Sequence, residues 1–196
     1  MGFRLVNLDC AACGSAMTGG PHDILFLCTH CGTGALLGDD GIEKLKTTAL
    51  LPASGRQAQV WKPGWSIDAD VVVDHRLQIG GRRTPGWSGR YRYIIPAFPL
   101  PLPDLVLLAR AVSAVSDTVD EVPRKPCRGG RLQLGDAMVF IRYLVVGAEV
   151  QQPDKLASVE VDITPVAHHL TALPFEIEGS FLRCAVTGVK VRNTEE

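Results

Sequence analysis

Four cysteines carry the chemistry most plainly written in this chain. Cys10 and Cys13 form one Cys-x-x-Cys pair, Cys28 and Cys31 form a second, and fourteen residues separate the two. Thiolates are soft metal ligands, and two pairs at this spacing can wrap one ion in a tetrahedral shell. Four sulfurs fill that shell. No position is left for a water or a substrate, so the spacing points to a structural metal rather than a catalytic one. Zinc is the expected ion, with iron the alternative, because four thiolates bind either.

The residues around the cysteines favour ligation over other thiol chemistry. A glycine follows each pair, Gly14 after the first and Gly32 after the second. The backbone must turn sharply there for its amides to face the sulfurs, and glycine enters the left-handed region without strain. Disulfides fit poorly, because cysteines this close in sequence seldom bridge outside redox motifs. A redox Cys-x-x-Cys would occur once, ahead of a helix in a βαβ pattern that is missing here. His22 and His30 are read as solvated neighbours, since the thiolate set is already complete.

Short apolar runs must position the two pairs. Ile24-Leu25-Phe26-Leu27 enters the second pair, and Gly34-Ala35-Leu36-Leu37 leaves it before a turn at Gly38-Asp39-Asp40-Gly41. Over residues 6–40 this pattern resembles a zinc ribbon, a superfamily that includes transcription and translation factors, ribosomal proteins and many small prokaryotic proteins. The resemblance implies a metal-stapled pair of β-hairpins in which Cys10, Cys13, Cys28 and Cys31 hold zinc. Its motif is specific for the metal rather than for a function. Residues 41–196 resemble no recognised family.

Length and composition bound the rest. At 196 residues the chain suits a ribbon over 1–40 and one larger domain over 41–196. Hydrophobic residues at 46% and charged residues at 21% allow that domain a true core. Cys127 and Cys184 fall outside the ligand set, and thiols beside a thiolate metal site imply a reducing, cytoplasmic setting. Met1 to Val6 carries no long apolar stretch, and Val6 breaks the myristoylation pattern, so no export or anchoring signal is expected.

Beyond the ribbon the period shifts to two. Ile67, Ala69, Val71 and Val73 alternate with Ser66, Asp68, Asp70 and Val72, which predicts a half-buried strand with the second set facing water. Ser158 to Thr164 alternates likewise, with weaker strands over Leu170 to Ile177 and Phe181 to Val191 and a hairpin turn at Gly179-Ser180. Two stretches are helical by period. One starts at Asp104, carries Leu105, Leu108, Ala109, Val112 and Val115, and ends near Ser116. The other follows Asp136 with Ala137, Met138, Phe140, Ile141, Leu144 and Val145, placing Arg142 and Glu149 outward. Between them, 122–131 is a loop by its prolines and glycines. The expected class is α+β: an N-terminal zinc ribbon, then a mostly antiparallel sheet with two packed helices. The proline-spaced run from Tyr93 to Leu108 is too interrupted to cross a membrane. Its Ile94, Ile95, Phe98, Leu100 and Leu102 are read as core, or as a docking strip.

Charge tests the commonest use of such ribbons. Residues 1–40 hold Arg4 against Asp9, Asp23, Asp39 and Asp40, the wrong sign for phosphate binding. Residues 41–100 hold nine cations against four anions. Arg82, Arg83, Trp87, Arg90, Tyr91, Arg92 and Tyr93 interleave guanidinium groups with rings, a set able to bind a single nucleic-acid strand or a protein partner. The competing reading is a structural hairpin. Trp61 and Trp65 are read as core residues, or as partner contacts.

No catalytic constellation emerges. Asp74-His75 and His168-His169 lack companions, and Cys127 is the one candidate nucleophile, beside Arg124, Lys125, Arg128 and Arg131. Three functions are therefore weighed. The leading one is a non-enzymatic adaptor or accessory subunit with structural zinc and a protein partner. The second is a nucleic-acid-binding accessory protein using Arg82 to Tyr93. The third is a thiol enzyme or redox sensor at Cys127.

Overall fold

The computed structural model describes residues 7–38, 41–115, 118–122, 124–125 and 127–194. Strands β1 (Leu25–Leu27), β2 (Gly34–Gly38) and β3 (Gly41–Leu45) form a three-stranded antiparallel sheet in that order. β2 and β3 pair from Gly34↔Leu45 to Gly38↔Gly41, while the expected turn residues Asp39 and Asp40 lie outside the described residues. The cysteine-bearing sheet thus takes its third strand from residues beyond 40.

The larger sheet is built on two long antiparallel partners. β5 (Val60–Gln78) and β9 (Leu156–Glu178) pair from Val60↔Phe175 to Gln78↔Leu156. The stretches expected as separate strands at 158–164 and 170–177 are one strand, with a bulge where Asp68 meets Ala167 and Ala69 meets Pro165. Proline cannot donate to a ladder, so a bulge accommodates Pro165 and breaks the alternation read from sequence. β7 (Trp87–Pro96) flanks β5, joined through β6 (Arg83–Thr84). On the other edge of β9 lie β4 (Thr47–Leu50), which is parallel to it, and β10 (Phe181–Cys184), followed by β11 (Lys190–Arg192). β8 (Thr118–Val119) closes the far side of β4. The expected hairpin is present: Glu178 pairs with Phe181 across Gly179, whose φ of +60° suits glycine.

Two helices cover this sheet, as the 3.6-residue period predicts. α1 (Leu102–Ser113) begins two residues before Asp104, with prolines at its start where no helical amide is needed. It ends at Ser113, and Ser116, the expected terminus, lies outside the described residues. Leu108 and Val112 of α1 join Ile94, Phe98, Leu173 and Phe175 in one core. Ser113 accepts the Ile94 N–H at 2.8 Å, which satisfies a backbone group on the open edge of β7. α2 (Leu134–Val150) places Ala137, Ile141, Leu144 and Val145 against Trp65, Ile67, Ala69, Val71 and Val73 in a second core. β5 is therefore covered on both faces over 61–67. Ser66, expected to face water, is fully buried because the sheet's second face is covered there.

Glu149 is a further correction. It points inward, 3% exposed, and accepts from Arg76 Nε at 2.6 Å and from the Trp87 indole at 2.8 Å. Arg76 also reaches Thr84 and Asp154. A buried carboxylate needs such partners, and these come from residues more than sixty positions away in sequence.

Candidate metal centre

The two cysteine pairs fold as near copies of one turn. Cys10 N–H donates to Ser15 O and Gly14 N–H to Cys10 O; Cys28 N–H donates to Thr33 O and Gly32 N–H to Cys28 O. These bonds measure 2.9 and 2.8 Å in both turns. Gly14 and Gly32 have φ of +72° and +77°, the conformation that their positions after the cysteines call for. The Ala12 amide points at Cys10 Sγ from 3.4 Å, as backbone does around a thiolate ligand.

These turns bring the four sulfurs together. All lie within 4.8 Å of one another, with Cys10 to Cys31 at 3.6 Å and Cys13 to Cys28 at 3.7 Å. A tetrahedron with metal–sulfur bonds of about 2.3 Å has edges of about 3.8 Å, which these two separations match. Among the described residues this is the one group of ligating side chains so placed. His22 and His30 are exposed and stand outside it.

The four thiols are not equivalent. Cys10 and Cys28 are buried, and Cys13 and Cys31 are exposed. The Thr33 hydroxyl and amide hold the Cys31 thiol down at about 6, Thr33 Oγ1 standing 3.2 Å from the sulfur. Ser15 lowers Cys13 in the same way. Burial pushes Cys28 up to about 11. Cys31 is thus prepared as thiolate and Cys13 is shifted the same way, while a cation would have to displace the proton from Cys28. A metal bound here would supply fixed geometry and charge neutralisation.

The centre is fastened to the larger sheet rather than hung beside it. Leu25 and Leu45 sit in the core formed by Trp65 and α2, and Leu27, next to Cys28, packs with Trp61, Ala172 and Cys127. Asp23, 5% exposed, accepts from the Gly20 and Gly129 amides, and Arg131 Nε stands 3.6 Å from its other oxygen. Ile24 and Leu25 both donate to Gly130 O.

The other expected sites are scattered. Arg90 forms a two-bond ion pair with Asp70, and Arg92 pairs with Asp68. Trp87 is half-buried with its N–H on Glu149, and Tyr91 stacks edge-on against it at 5.5 Å. Arg82, beside the turn, and Arg83, in β6, are exposed and make no ion pair among the described residues. Trp65 is completely buried and donates to Leu132 O, which removes it from any partner surface. Trp61 is 9% exposed. Ile94, Ile95 and Phe98 are core, and Leu102 is exposed. Cys127 is buried in a bridge to Trp61, and Cys184 is fully buried in the α1 core. His168 stacks on Trp65, and burial lowers His169.

Sequence reading missed a cleft of about 790 Å³ beside the centre. Cys31 to Thr33, Lys44 to Thr47 and Val119 to Val122 line it together with Trp61 and Leu51. These segments are distant in sequence, so no local pattern announces the cleft. The chain matches no protein-family model, no curated protein and no solved structure. Among the described residues no helix is long and apolar enough to cross a membrane.

Proposed function

We propose that this protein is a non-enzymatic adaptor or accessory subunit whose N-terminal lobe is a zinc ribbon with a structural ion. The observation that carries this reading is the closed cluster of four sulfurs, whose 3.6 and 3.7 Å separations match a saturated tetrahedron. Zinc suits a closed shell of four thiolates, and iron is the competing ion. A saturated ion shapes a surface instead of doing chemistry. The cleft walled by Cys31 to Thr33 is the surface it shapes, of a size that takes a partner's side chains, with Leu51 53% exposed at its rim.

The paired state of Arg90 and Arg92 weighs against nucleic acid, since their charge is spent on Asp70 and Asp68. The burial of Cys127 weighs against a thiol enzyme, which needs an accessible thiolate.

Pull-down from native extract with mass spectrometry, run beside metal analysis, tests the proposal. Lys44→Glu with Leu51→Asp should retain the metal and lose the partner. Partner capture that survives both this variant and removal of the metal would sink it.

A further inference from the structure

We infer that the bound metal acts as a latch on the segment of residues 127–131, keeping Cys127 shielded while the ion is present and opening it to solvent reagents when the ion is lost. The inference rests on the metal reading above and adds a consequence for a residue outside the ligand set.

The connection runs through β1. Its last residue, Leu27, precedes the ligand Cys28 in the chain and packs on Trp61, Ala172 and Cys127. Cys127 is 5% exposed, and its bridge to Trp61 is an isolated pair rather than part of a long ladder. The loop is pinned from the same strand. Gly130 O receives the Ile24 N–H at 2.6 Å and the Leu25 N–H at 3.0 Å. Gly130 packs so tightly on Leu25 that a Cβ there would stand 2.5 Å from the Leu25 Cβ. Asp23 completes the pin with its bond from the Gly129 amide at 3.0 Å.

Each of these bonds joins the loop to residues 23–27, and residues 23–27 are held at one end by the metal turn at Cys28. β1 is three residues long, and among the described residues it pairs with β2 and, through Leu25 alone, with Gly130. A strand this short depends on what anchors its ends. Without the ion, the four sulfurs lose their common tether and nothing covalent fixes the end of β1. Local opening takes Leu25 and Leu27 out of the clusters they share with the large sheet and still costs less than unfolding that sheet. Cys184 is the internal control, because it is fully buried in the α1 core and belongs to neither the loop nor the cysteine lobe.

The test is alkylation with N-ethylmaleimide, read peptide by peptide with mass spectrometry, on metal-loaded full-length protein before and after chelation. Metal content is measured in parallel. Chelation should speed modification of Cys127 by roughly tenfold or more, the factor that one lost strong hydrogen bond is worth in an opening equilibrium, and leave Cys184 protected. Asp23→Asn, which weakens the pin and leaves all four ligands in place, should raise Cys127 labelling with metal content unchanged. Cys127 as protected after chelation as before would overturn the latch, as would Cys127 and Cys184 becoming reactive together. Protein that carries no metal when purified would overturn the metal reading itself.

Discussion

The buried Arg76–Glu149 pair gives the fold its sharpest quantitative test. Their side chains are 10% and 4% exposed, and Arg76 Nε donates to Glu149 at 2.6 Å. Glu149→Leu leaves the guanidinium in a low-dielectric site without its main acceptor. Breaking a buried pair from one side costs about 3–5 kcal/mol. Asp154, 3.0 Å from the other end of Arg76, remains and offsets part of that charge. Trp87 is half-buried and its indole is uncharged, so the loss of its bond adds less than the stranded guanidinium. The expected cost is therefore near the low end, about 3 kcal/mol, which lowers the melting midpoint of a chain this size by about 6–12 °C. Urea unfolding of the metal-loaded protein, followed by tryptophan fluorescence, measures it. Arg76→Leu combined with Glu149→Leu should be more stable than Glu149→Leu alone, because an apolar pair no longer strands a charge. A single variant within about 0.5 kcal/mol of the parent would refute the reasoning and place the pair in contact with solvent.

Further outcomes follow from the same physics. Burial and the neighbouring cations Arg92 and Lys46 lower His169 from its ordinary value of 6.5, so folding favours its neutral form. Its contribution is complete above that value and is lost as pH falls below it; His169→Gln should flatten the decline in urea midpoint between pH 8 and pH 5, each about a unit or two from that value. Gly130→Ala would drive a methyl into Leu25 and should cost about 1–3 kcal/mol in the same unfolding assay. Gel-shift titration at low salt should show no retention of single-stranded oligonucleotides by the Arg82 to Tyr93 segment, and binding that weakens in Arg82→Ala with Arg83→Ala would restore the nucleic-acid reading.

What was legible in the sequence was what depends on local period and local turn geometry. Ile67, Ala69, Val71 and Val73 are all buried, as alternation requires, and the glycines after each cysteine pair adopt the conformation expected of them. The helical face of Leu105, Leu108, Ala109 and Val112 is buried for the same reason. Long-range pairings were not legible. Nothing near Glu149 signals that Arg76 and Trp87 wait across the sheet, so its carboxylate reads as solvent-facing. Ser66 reads as exposed because alternation assigns one wet face, while α1 and the β7–α1 connection cover the second. Asp23 reads only as an acidic charge within residues 1–40, although it is the buried acceptor that joins the cysteine lobe to Gly129. The cleft is assembled from segments between Cys31 and Arg124, which no motif links.

Everything proposed for this protein turns on a single ion closing the cluster of Cys10, Cys13, Cys28 and Cys31. Native mass spectrometry of the reduced, freshly purified protein tests it most directly. One zinc ion per chain is expected, absent from Cys10→Ser with Cys28→Ser. A metal-free chain that refuses added zinc while keeping its fold would contradict it.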